Sequence, residues 1–474
     1  MAPVLAEEAR RTPSRVSAEL FTIPLDSDRF LIYAPLRRAA FVANTRVVNV
    51  LADLQEEASG ADPDSGLAEF LRRLEILDGG PEPAPSTEFA GVPEPTEVTL
   101  FLTTTCNLRC TYCYAAAGDT PAKNMPLEVA RRGIDFVAGN AARKGLPTFG
   151  VNYHGGGEPT GNWKVMLSSL AYAREKASEL GLEEPESSAA TNGVLRDDQI
   201  EWVIANLNGG VSVSFDGLPS AHDRHRLTVL GQGSSQRVMH TLRRFDEARY
   251  PYGIRVTVTA DQIAALPDSV EFICANFGTD RIQVEPSYQM GRWKGAPAAE
   301  TDAFIEAYRE AQGRASRYGR EIFFSAARVG VLSNHFCGVT QDLFALTADG
   351  NVSACYESFS EDNPWAPVFQ YGRPAESGYR FELPVLNHLR RQTVQHREFC
   401  QGCFAKWTCS GDCYHKSLAV TGELTFQGTD RCHIIRELTK DQILANIAAS
   451  GGLFWHAAPD EVPAKPRGGK EVLL

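Results

Sequence analysis

The chain has 474 residues, 43% of them hydrophobic, and a formal net charge of -12 at pH 7. This length allows two or three domains around a large core, and the negative charge argues against nucleic acid as a partner, because such binding depends on clustered Lys and Arg. The first residues, MAPVLAEEARRTPSRVSAEL, lack an apolar run of signal-peptide length, and no stretch approaches the roughly 20 apolar residues of a membrane span. We therefore expect a cytoplasmic protein with no membrane partner.

The first elements predicted in chain order are short strands and two helices. FTIPL, FLIYAPL and FVANTRVVNVLADL have strand-like apolar runs, and a helical pattern follows in LAEFLRRLEIL. The next stretch, DGGPEPAPSTEFAGVPEPT, is rich in Pro and Gly, as linkers are. We predict a small β-then-α domain over 1–80 and a linker over 81–96.

From residue 97 onward, strand-like and helical segments alternate. Strand candidates such as VTLFLTT and GIRVTVT are separated by helical stretches such as LEVARRGIDFVAGNAARK. Six such units predict an α/β domain over 97–325 with a parallel sheet or barrel, whose chemistry lies at the carboxyl ends of its strands. Loops and cysteines dominate 326–450, apart from a final helix in CHIIRELTKDQILANIAAS, and 451–474 is expected to be a C-terminal tail.

Eleven cysteines in a reducing compartment indicate metal binding or catalysis rather than disulfides. Ten of them fall in two regions, and Cys274 stands alone in a pattern that favours a buried apolar position. The first region, CNLRCTYCY, contains Cys106, Cys110 and Cys113 directly after the first predicted barrel strand. Soft thiolates suit zinc or iron-sulfur clusters. A structural zinc would need a fourth ligand, and the next histidine is His154, so the motif favours a metal site with one open position.

Cys-x3-Cys-x2-Cys with an aromatic residue before the third cysteine, after strand one of a βα barrel, resembles the signature of radical SAM enzymes. The resemblance implies a partial (β/α)6 TIM-type barrel and a 4Fe-4S cluster held by the three cysteines. S-adenosylmethionine (SAM) would bind the fourth iron and be cleaved reductively to a 5'-deoxyadenosyl radical. An external one-electron reductant of the flavodoxin or ferredoxin type is then implied as a partner.

Later strand ends also resemble segments of this family. HGGGEPT is similar to the Gly-Gly-Glu-Pro segment that cradles SAM, TNG and SFDG occupy positions of ribose and carboxylate contacts, and AHDRHR resembles an HD-x-x-R segment. Each segment alone is also a common turn signal. The resemblance assigns cofactor contacts to Tyr112, Gly156, Gly157, Glu158, Pro159, Asn192, Ser214, Asp216 and Arg226.

The second cysteine region has seven members between residues 337 and 432. Cys400-x2-Cys403 with Cys409 and Cys413 would suit a zinc knuckle by itself. The complete spacing resembles the SPASM extension of radical SAM enzymes, which holds two auxiliary 4Fe-4S clusters. The implied ligands are Cys400, Cys403, Cys409 and Cys432 for an outer cluster, and Cys337, Cys355 and Cys413 for an inner one. The inner cluster would have an open iron or a further ligand such as His335, Asp342 or Cys274.

Residues 1–80 resemble the PqqD-like, winged-helix-like element with which peptide maturases bind a leader peptide as an extra strand. A generic barrel extension is the alternative. The combined resemblance implies a maturase that forms a thioether or carbon-carbon cross-link in a precursor peptide or protein. The alternatives are oxidation of a protein side chain, as in anaerobic sulfatase maturases, or of a small molecule, and a zinc-binding interaction protein. No residue is predicted as the catalytic base.

Overall fold

The computed structural model describes residues 16–56, 65–82, 84–293 and 300–455, which form a four-stranded and an eleven-stranded sheet. The strands are β1 (Phe21–Pro24), β2 (Arg29–Ala34), β3 (Ala39–Asn44), β4 (Glu97–Leu100), β5 (Gly150–Tyr153), β6 (Glu186–Thr191), β7 (Val211–Ser214), β8 (Tyr252–Val258), β9 (Ile282–Pro286), β10 (Ile322–Phe323), β11 (Ala345–Leu346), β12 (Val352–Ser353), β13 (Gln370–Pro374), β14 (Tyr379–Phe381) and β15 (Leu453–Trp455). The helices are α1 (Thr45–Gln55), α2 (Ser65–Arg73), α3 (Leu127–Arg143), α4 (Trp163–Leu180), α5 (Asp197–Asn206), α6 (Pro219–His225), α7 (Ser235–Glu247), α8 (Leu266–Asn276), α9 (Thr301–Ser316), α10 (Ala366–Phe369), α11 (Leu383–Arg390), α12 (Lys406–Cys409), α13 (Tyr414–Thr421) and α14 (Arg431–Ala449).

The larger sheet contains the predicted βα units. Strands β4 to β9 are neighbours in chain order, and each adjacent pair is parallel. Helices follow these strands, as the alternating pattern requires, and α3 begins and ends within one residue of its predicted bounds. The predicted α/β fold with a mostly parallel sheet is confirmed. Because all six strands run in one direction, the segments that follow them meet at one edge of the sheet.

The cysteine-rich region continues this sheet. β11 pairs in parallel with β4, and β12, β13 and β14 extend the sheet by antiparallel pairing. Gly133 of α3 allows this contact, because a Cβ there would lie 2.4 Å from Leu346 Cδ1. Val352, Leu386 and Leu389 are fully buried in the same core as the barrel. The region is therefore more apolar inside than its loop-rich sequence indicated.

The smaller sheet differs from the prediction at its C-terminal strand. Its order is β1-β2-β3-β15, so three residues from the expected tail pair antiparallel with β3. Phe454 explains this pairing, because it is buried beside Tyr33, Ile443 and Ile447. Residues 456–474, the rest of the predicted tail, lie outside the described residues.

The predicted linker also makes specific contacts with the cysteine-rich region. The carbonyl oxygen of Thr87 accepts hydrogen bonds from Asn334 and His335, and the carbonyl oxygen of Gly91 accepts one from Arg390. A Pro-rich extended segment has unpaired backbone carbonyls, and these side chains satisfy them. The segment is thus fixed along the surface instead of being a free tether.

Within the described residues, no helix combines the length and the apolar character needed to cross a membrane.

Candidate functional site

The N-terminal thiol set, Cys106, Cys110 and Cys113, lies on the loop after β4 at the carboxyl edge of the sheet. Backbone hydrogen bonds hold this loop against the segment after α6. The Arg109 amide donates to the Leu227 carbonyl oxygen at 2.6 Å, and the Thr111 amide donates to the His225 carbonyl oxygen at 2.9 Å. These bonds fix alternate residues between the cysteines, so the sulfur positions are set by backbone.

A second segment encloses the loop from the side of β9. The Arg292 amide donates to the Cys113 carbonyl oxygen at 3.1 Å, and its guanidinium donates to the Cys110 carbonyl oxygen at 3.2 Å. Gly291 is required for this approach: its φ is 56°, and a Cβ would lie 2.2 Å from the Cys113 carbonyl oxygen. The loop is therefore clamped by two parts of the barrel that are distant in sequence.

The three thiols are half-buried. Burial, the Glu158 carboxylate and the other two thiols raise the pKa of Cys106 to about 12. Burial raises the pKa of Cys110 to about 11, although the Arg226 guanidinium acts in the opposite direction. Thiols in this state become ligands when a metal displaces their protons.

The fit of this loop to an iron-sulfur cluster rests on donor chemistry. No group of three or more His, Cys, Asp or Glu side chains in the described part of the chain is gathered to hold a metal ion. Three unpaired thiols on one loop nevertheless supply the soft donors that iron-sulfur clusters take. Two N–H groups point at Cys106 Sγ, from Leu108 at 3.3 Å and Asn192 at 3.4 Å. Such donors stabilise a thiolate and suit a cluster ligand.

The predicted Gly-Gly-Glu-Pro segment lies after β5, beside the cysteine loop. A Cβ on Gly157 would lie 2.1 Å from the Thr105 carbonyl oxygen, and one on Gly156 would lie 2.2 Å from the Phe359 ring. Glycine is therefore needed at these positions for close packing within the protein. Pro159 begins the short helical turn Pro159–Asn162 that comes next in the chain.

Glu158 joins two neighbouring strand ends. Its buried carboxylate accepts hydrogen bonds from the Asn192 amide at 2.8 Å and from the Thr191 hydroxyl at 2.9 Å. Burial raises the pKa of Glu158, and these hydrogen bonds oppose that rise. The carboxylate thus positions Asn192, whose side chain in turn reaches Cys106.

Three other predicted cofactor residues contact one another behind the loop. Tyr112 donates to the Asp216 carboxylate, and Arg226 Nε donates to the same carboxylate at 3.0 Å. The Arg226 guanidinium lies 5.1 Å from the centre of the Tyr112 ring. All three were predicted as SAM contacts, and the structure brings them together as a buried network next to Cys110. Ser214, also predicted, is half-buried at the end of β7.

The seven later cysteines form two neighbourhoods. We call Cys400, Cys403, Cys409 and Cys432 the outer thiol set, and Cys337, Cys355 and Cys413 the inner thiol set. Burial raises the pKa of each of the seven, and charge effects from members of the same set add to the rise for Cys355, Cys413, Cys400, Cys409 and Cys432. The cysteines expected to share a cluster thus lie near one another. Their role as ligands stays a prediction.

The three suggested additional ligands of the inner thiol set are engaged elsewhere. His335 makes hydrogen bonds to Thr340 and to the Thr87 carbonyl oxygen, both at 2.8 Å. Asp342 forms an ion pair with Arg390 at 2.6 Å. Cys274 is buried in α8 within the barrel core. These contacts give no support to any of the three as a ligand.

The sequence did not reveal the contact between His415, which is buried, and Glu357, whose side chain is 21% exposed. His415 Nδ1 lies 2.9 Å from Glu357 Oε2, but the contact lacks hydrogen-bond geometry, and both ring nitrogens of His415 are buried without a hydrogen bond in the described residues. Burial opposes ionisation of Glu357, but the charges of His415, Lys416 and Arg255 outweigh it and lower its pKa to about 2. No motif marks this pair. Its only signal is that each member lies two residues after an inner cysteine.

The Glu357 carboxylate acts electrostatically on residues next to both the N-terminal and the inner thiol sets. Its charge raises the pKa values of Tyr114 and Cys355 in addition to the larger effect of burial. Tyr114 directly follows the N-terminal thiol set and donates to the Gly155 carbonyl oxygen at 2.8 Å. Glu357 therefore lies where a molecule held between the two thiol sets would meet it.

Comparison with known proteins supports the radical SAM assignment. A sequence profile described as Radical SAM superfamily matches residues 100–272. The sporulation killing factor maturation protein SkfB of Bacillus subtilis is 27% identical over 199 residues, which are 42% of this chain and 44% of SkfB. The Fe-coproporphyrin III synthase of Methanosarcina barkeri is 28% identical over 169 residues, 35% of this chain and 38% of that protein. The chain thus spans about half the length of the curated relatives it matches, or less.

The fold is also that of a solved structure. The protein anSMEcpe, solved with bound AdoMet and the peptide Cp18Cys, superposes with a TM-score of 0.58 over 75% of this chain and 99% of that chain, at 16% identity. The radical SAM family uses a 4Fe-4S cluster and SAM, and the loop after β4 has the donors for that cluster. Residues 100–272 are therefore a radical SAM domain.

Proposed function

We propose that the chain is a radical SAM maturase that acts on a ribosomally made precursor peptide or a protein and forms a thioether or a carbon-carbon cross-link. One observation carries the proposal: two further thiol sets lie beyond the N-terminal one, with the contact between Glu357 and the buried His415 beside the inner set. The likeness to SkfB, a maturation protein, supports the same conclusion.

The N-terminal thiol set would hold the cluster to which SAM binds. When bound, the cluster and SAM supply one-electron chemistry that removes hydrogen from an unactivated carbon. The chain's own residues orient this site. Asn192 and the Leu108 amide donate to Cys106 Sγ, and the network of Tyr112, Asp216 and Arg226 backs the loop next to Cys110.

Two further predicted contacts would meet SAM along the strand ends. Ser214 ends β7 with a half-exposed side chain, and Gly156 lies in the loop after β5, beside the cysteine loop. We assign these positions to the cofactor by their place at the carboxyl edge. Glu158 would act indirectly, because its carboxylate already holds the Asn192 amide and the Thr191 hydroxyl.

The outer and inner thiol sets would hold two auxiliary clusters. Cross-link formation removes two hydrogen equivalents from the substrate, so an electron acceptor is needed beside the substrate. A cluster on the inner thiol set would meet that need, and the electrostatic effects of Glu357 on Cys355 and of Arg255 of β8 on Glu357 support this assignment. An external one-electron reductant would serve the N-terminal site.

The substrate would lie in the barrel interior beside Glu357 and His415. Arg255 projects from the middle of β8, and Lys416 Nζ lies 4.6 Å from the centre of the Tyr288 ring. Both cations act on the Glu357 carboxylate. These groups provide hydrogen-bond donors and an acceptor for a polar peptide segment held between the thiol sets.

The small N-terminal sheet would bind the leader of the substrate. In the described residues β15 occupies the outer edge of β3, so a leader strand that displaces nothing must pair with β1. Removing residues 1–80 should abolish peptide binding and leave SAM cleavage intact, as measured by peptide affinity and deoxyadenosine release. A chain shortened after Gly452, which lacks only β15 and residues 456–474, should bind the leader as tightly as the full chain. Tighter binding by the shortened chain would show that the leader uses the β3 edge instead.

The test of the function uses the full chain after anaerobic reconstitution. Short cysteine-containing peptides encoded beside the gene are the candidates, and mass spectrometry should show loss of two hydrogens from one of them with SAM and a reductant. SAM cleavage without any change in such peptides, together with turnover of a small molecule, would contradict the peptide assignment. A colourless protein that holds only zinc would contradict the radical SAM chemistry itself.

A further inference from the structure

Four arginines in the described residues are buried: Arg226, Arg390, Arg397 and Arg431. Three have a carboxylate within ion-pair distance. Arg226 pairs with Asp216 at 3.0 Å and Arg390 with Asp342 at 2.6 Å, while Arg431 has two partners, Asp412 at 2.8 Å and Glu285 at 2.9 Å. Arg397 is 4% exposed, and no carboxylate of the described residues lies within 4.0 Å of it. It is the exception among the buried arginines.

The contacts of Arg397 leave its charge without compensation. Its Nη1 donates to the carbonyl oxygens of Gly411 and Asp412, and its Nε is buried with no acceptor. Its guanidinium lies 4.3 Å from the centre of the Phe426 ring. The Asp412 carboxylate, which belongs to the same segment as these carbonyl oxygens, is held by Arg431. A buried guanidinium with neutral contacts alone is costly, because burial removes its hydration.

Arg397 stands between the outer and inner thiol sets. Its own carbonyl oxygen accepts from the Cys400 amide at 3.0 Å, which fixes the first turn of the outer set. Its side chain reaches residues 410–412, the segment that joins Cys409 of the outer set to Cys413 of the inner set. Gly411 is part of this fit, since its φ is 88° and a Cβ would lie 2.8 Å from Arg397 Nη1.

Cysteines of both thiol sets influence the pKa of Arg397. Burial lowers the pKa of Arg397, whereas Cys400, Cys409, Asp412 and Cys337 raise it. Cys400 and Cys409 belong to the outer set, and Cys337 belongs to the inner set. Protonated thiols supply no negative charge, and the Asp412 carboxylate is already paired with Arg431 at 2.8 Å. Metal binding that ionises both sets would supply the negative charge that Arg397 lacks.

We propose that Arg397 is the counter-cation shared by the outer and inner thiol sets, which raises the reduction potentials of the two clusters that they hold. A positive charge stabilises the reduced, more negative form of a cluster, and the effect is strong where water is excluded. Arg397 is thus a positioning and electrostatic residue of the electron-accepting region. This inference rests on the proposed auxiliary clusters.

The test is a redox titration of the reconstituted full chain, followed by electron paramagnetic resonance, with the variants Arg397→Met and Arg397→Lys. In Arg397→Met both auxiliary midpoint potentials should become more negative, while that of the N-terminal cluster stays at its wild-type value and serves as the control in the same sample. Arg397→Lys keeps the charge and should give potentials closer to wild type than the Met variant does. A purely structural role would move no potential selectively.

Other results of the same titration would overturn or support the role of Arg397. Unchanged auxiliary potentials in Arg397→Met, a shift of only one of them, or an equal shift of all three would overturn the inference. If the Met variant loses iron, loss of both auxiliary clusters, about eight irons, supports a shared cation, and loss of about four contradicts it. A wild-type chain with about four irons in all would overturn the auxiliary clusters themselves, which separates that failure from failure of the role of Arg397 alone.

Discussion

The N-terminal thiol set and the seven-cysteine region position their sulfurs in different ways. The first has three cysteines within eight residues, on one loop whose backbone is hydrogen-bonded to the end of α6 and to the segment after β9. The second assembles each set from segments as far apart as Cys337 and Cys413, or Cys400 and Cys432. A site on one loop depends on local backbone geometry, whereas sets that interleave depend on the packing of the whole region. The two regions should therefore respond differently to single substitutions.

The largest effect is expected from Cys110→Ala. This change removes one of the three donors of the N-terminal loop, so SAM cleavage should fall to the background of SAM alone. Chromatographic measurement of deoxyadenosine in anaerobic assays is the readout. Cys274→Ala is the matched control, because Cys274 is buried in α8 away from the thiol sets, and this variant should keep SAM cleavage. Deoxyadenosine production by Cys110→Ala would contradict the site.

Cys403→Ala tests the seven-cysteine region in the same way. Loss of an outer-set donor should stop product formation, while the N-terminal loop continues to support SAM cleavage without coupling to product. Both quantities are measured in one assay, by mass spectrometry of the peptide and by deoxyadenosine. If the variant forms product at the wild-type rate, the outer thiol set has no part in the reaction.

Arg431→Met tests how the cysteine-rich region is fastened to the barrel. Arg431 is fully buried and bridges Asp412, next to Cys413, and Glu285 of β9. Its removal leaves two buried carboxylates without a cation, which should lower the free energy of unfolding by about 3–5 kcal/mol. Arg309→Met is the control, since that partly exposed ion-pair cluster should contribute only about 0–1 kcal/mol. Denaturant unfolding under anaerobic conditions measures both, and equal losses would argue against the special role of Arg431.

The smallest effect is expected from Asn192→Ala. The variant loses one N–H donor to Cys106 Sγ. A hydrogen bond of this kind contributes about 0.5–1.5 kcal/mol to the free energy of unfolding. The N-terminal cluster should still assemble, with a more negative midpoint potential, because hydrogen bonds to sulfur stabilise the reduced form. The auxiliary potentials should not move. A shift in all clusters would show that Asn192 acts through the overall fold.

The sequence predicted those parts of the site whose functional residues lie close together in the chain. The strand ends and the cysteine spacing identified the barrel and the loop after β4, because parallel strands place their carboxyl ends together. It did not predict that Tyr112, Asp216 and Arg226 contact one another, since this requires the twist and register of several strands.

Other features depended on long-range packing. The pairing of β15 with β3 follows from burial of Phe454 against α14. A strand of three residues is too short to show a hydrophobic pattern that would predict this pairing. Glu357, His415 and Arg397 belong to no motif, and each has a buried side-chain nitrogen or oxygen with no hydrogen bond in the described residues. Such properties become visible only when the distances between distant segments are known.

The most direct test of the central claim is the electron paramagnetic resonance spectrum of the reduced, reconstituted full chain with and without SAM. We predict that SAM changes the signal of one cluster, that the change is absent in Cys110→Ala, and that it persists in Cys403→Ala. A colourless, zinc-loaded protein, or iron signals that do not respond to SAM, would contradict the claim that the loop after β4 leaves one iron for SAM.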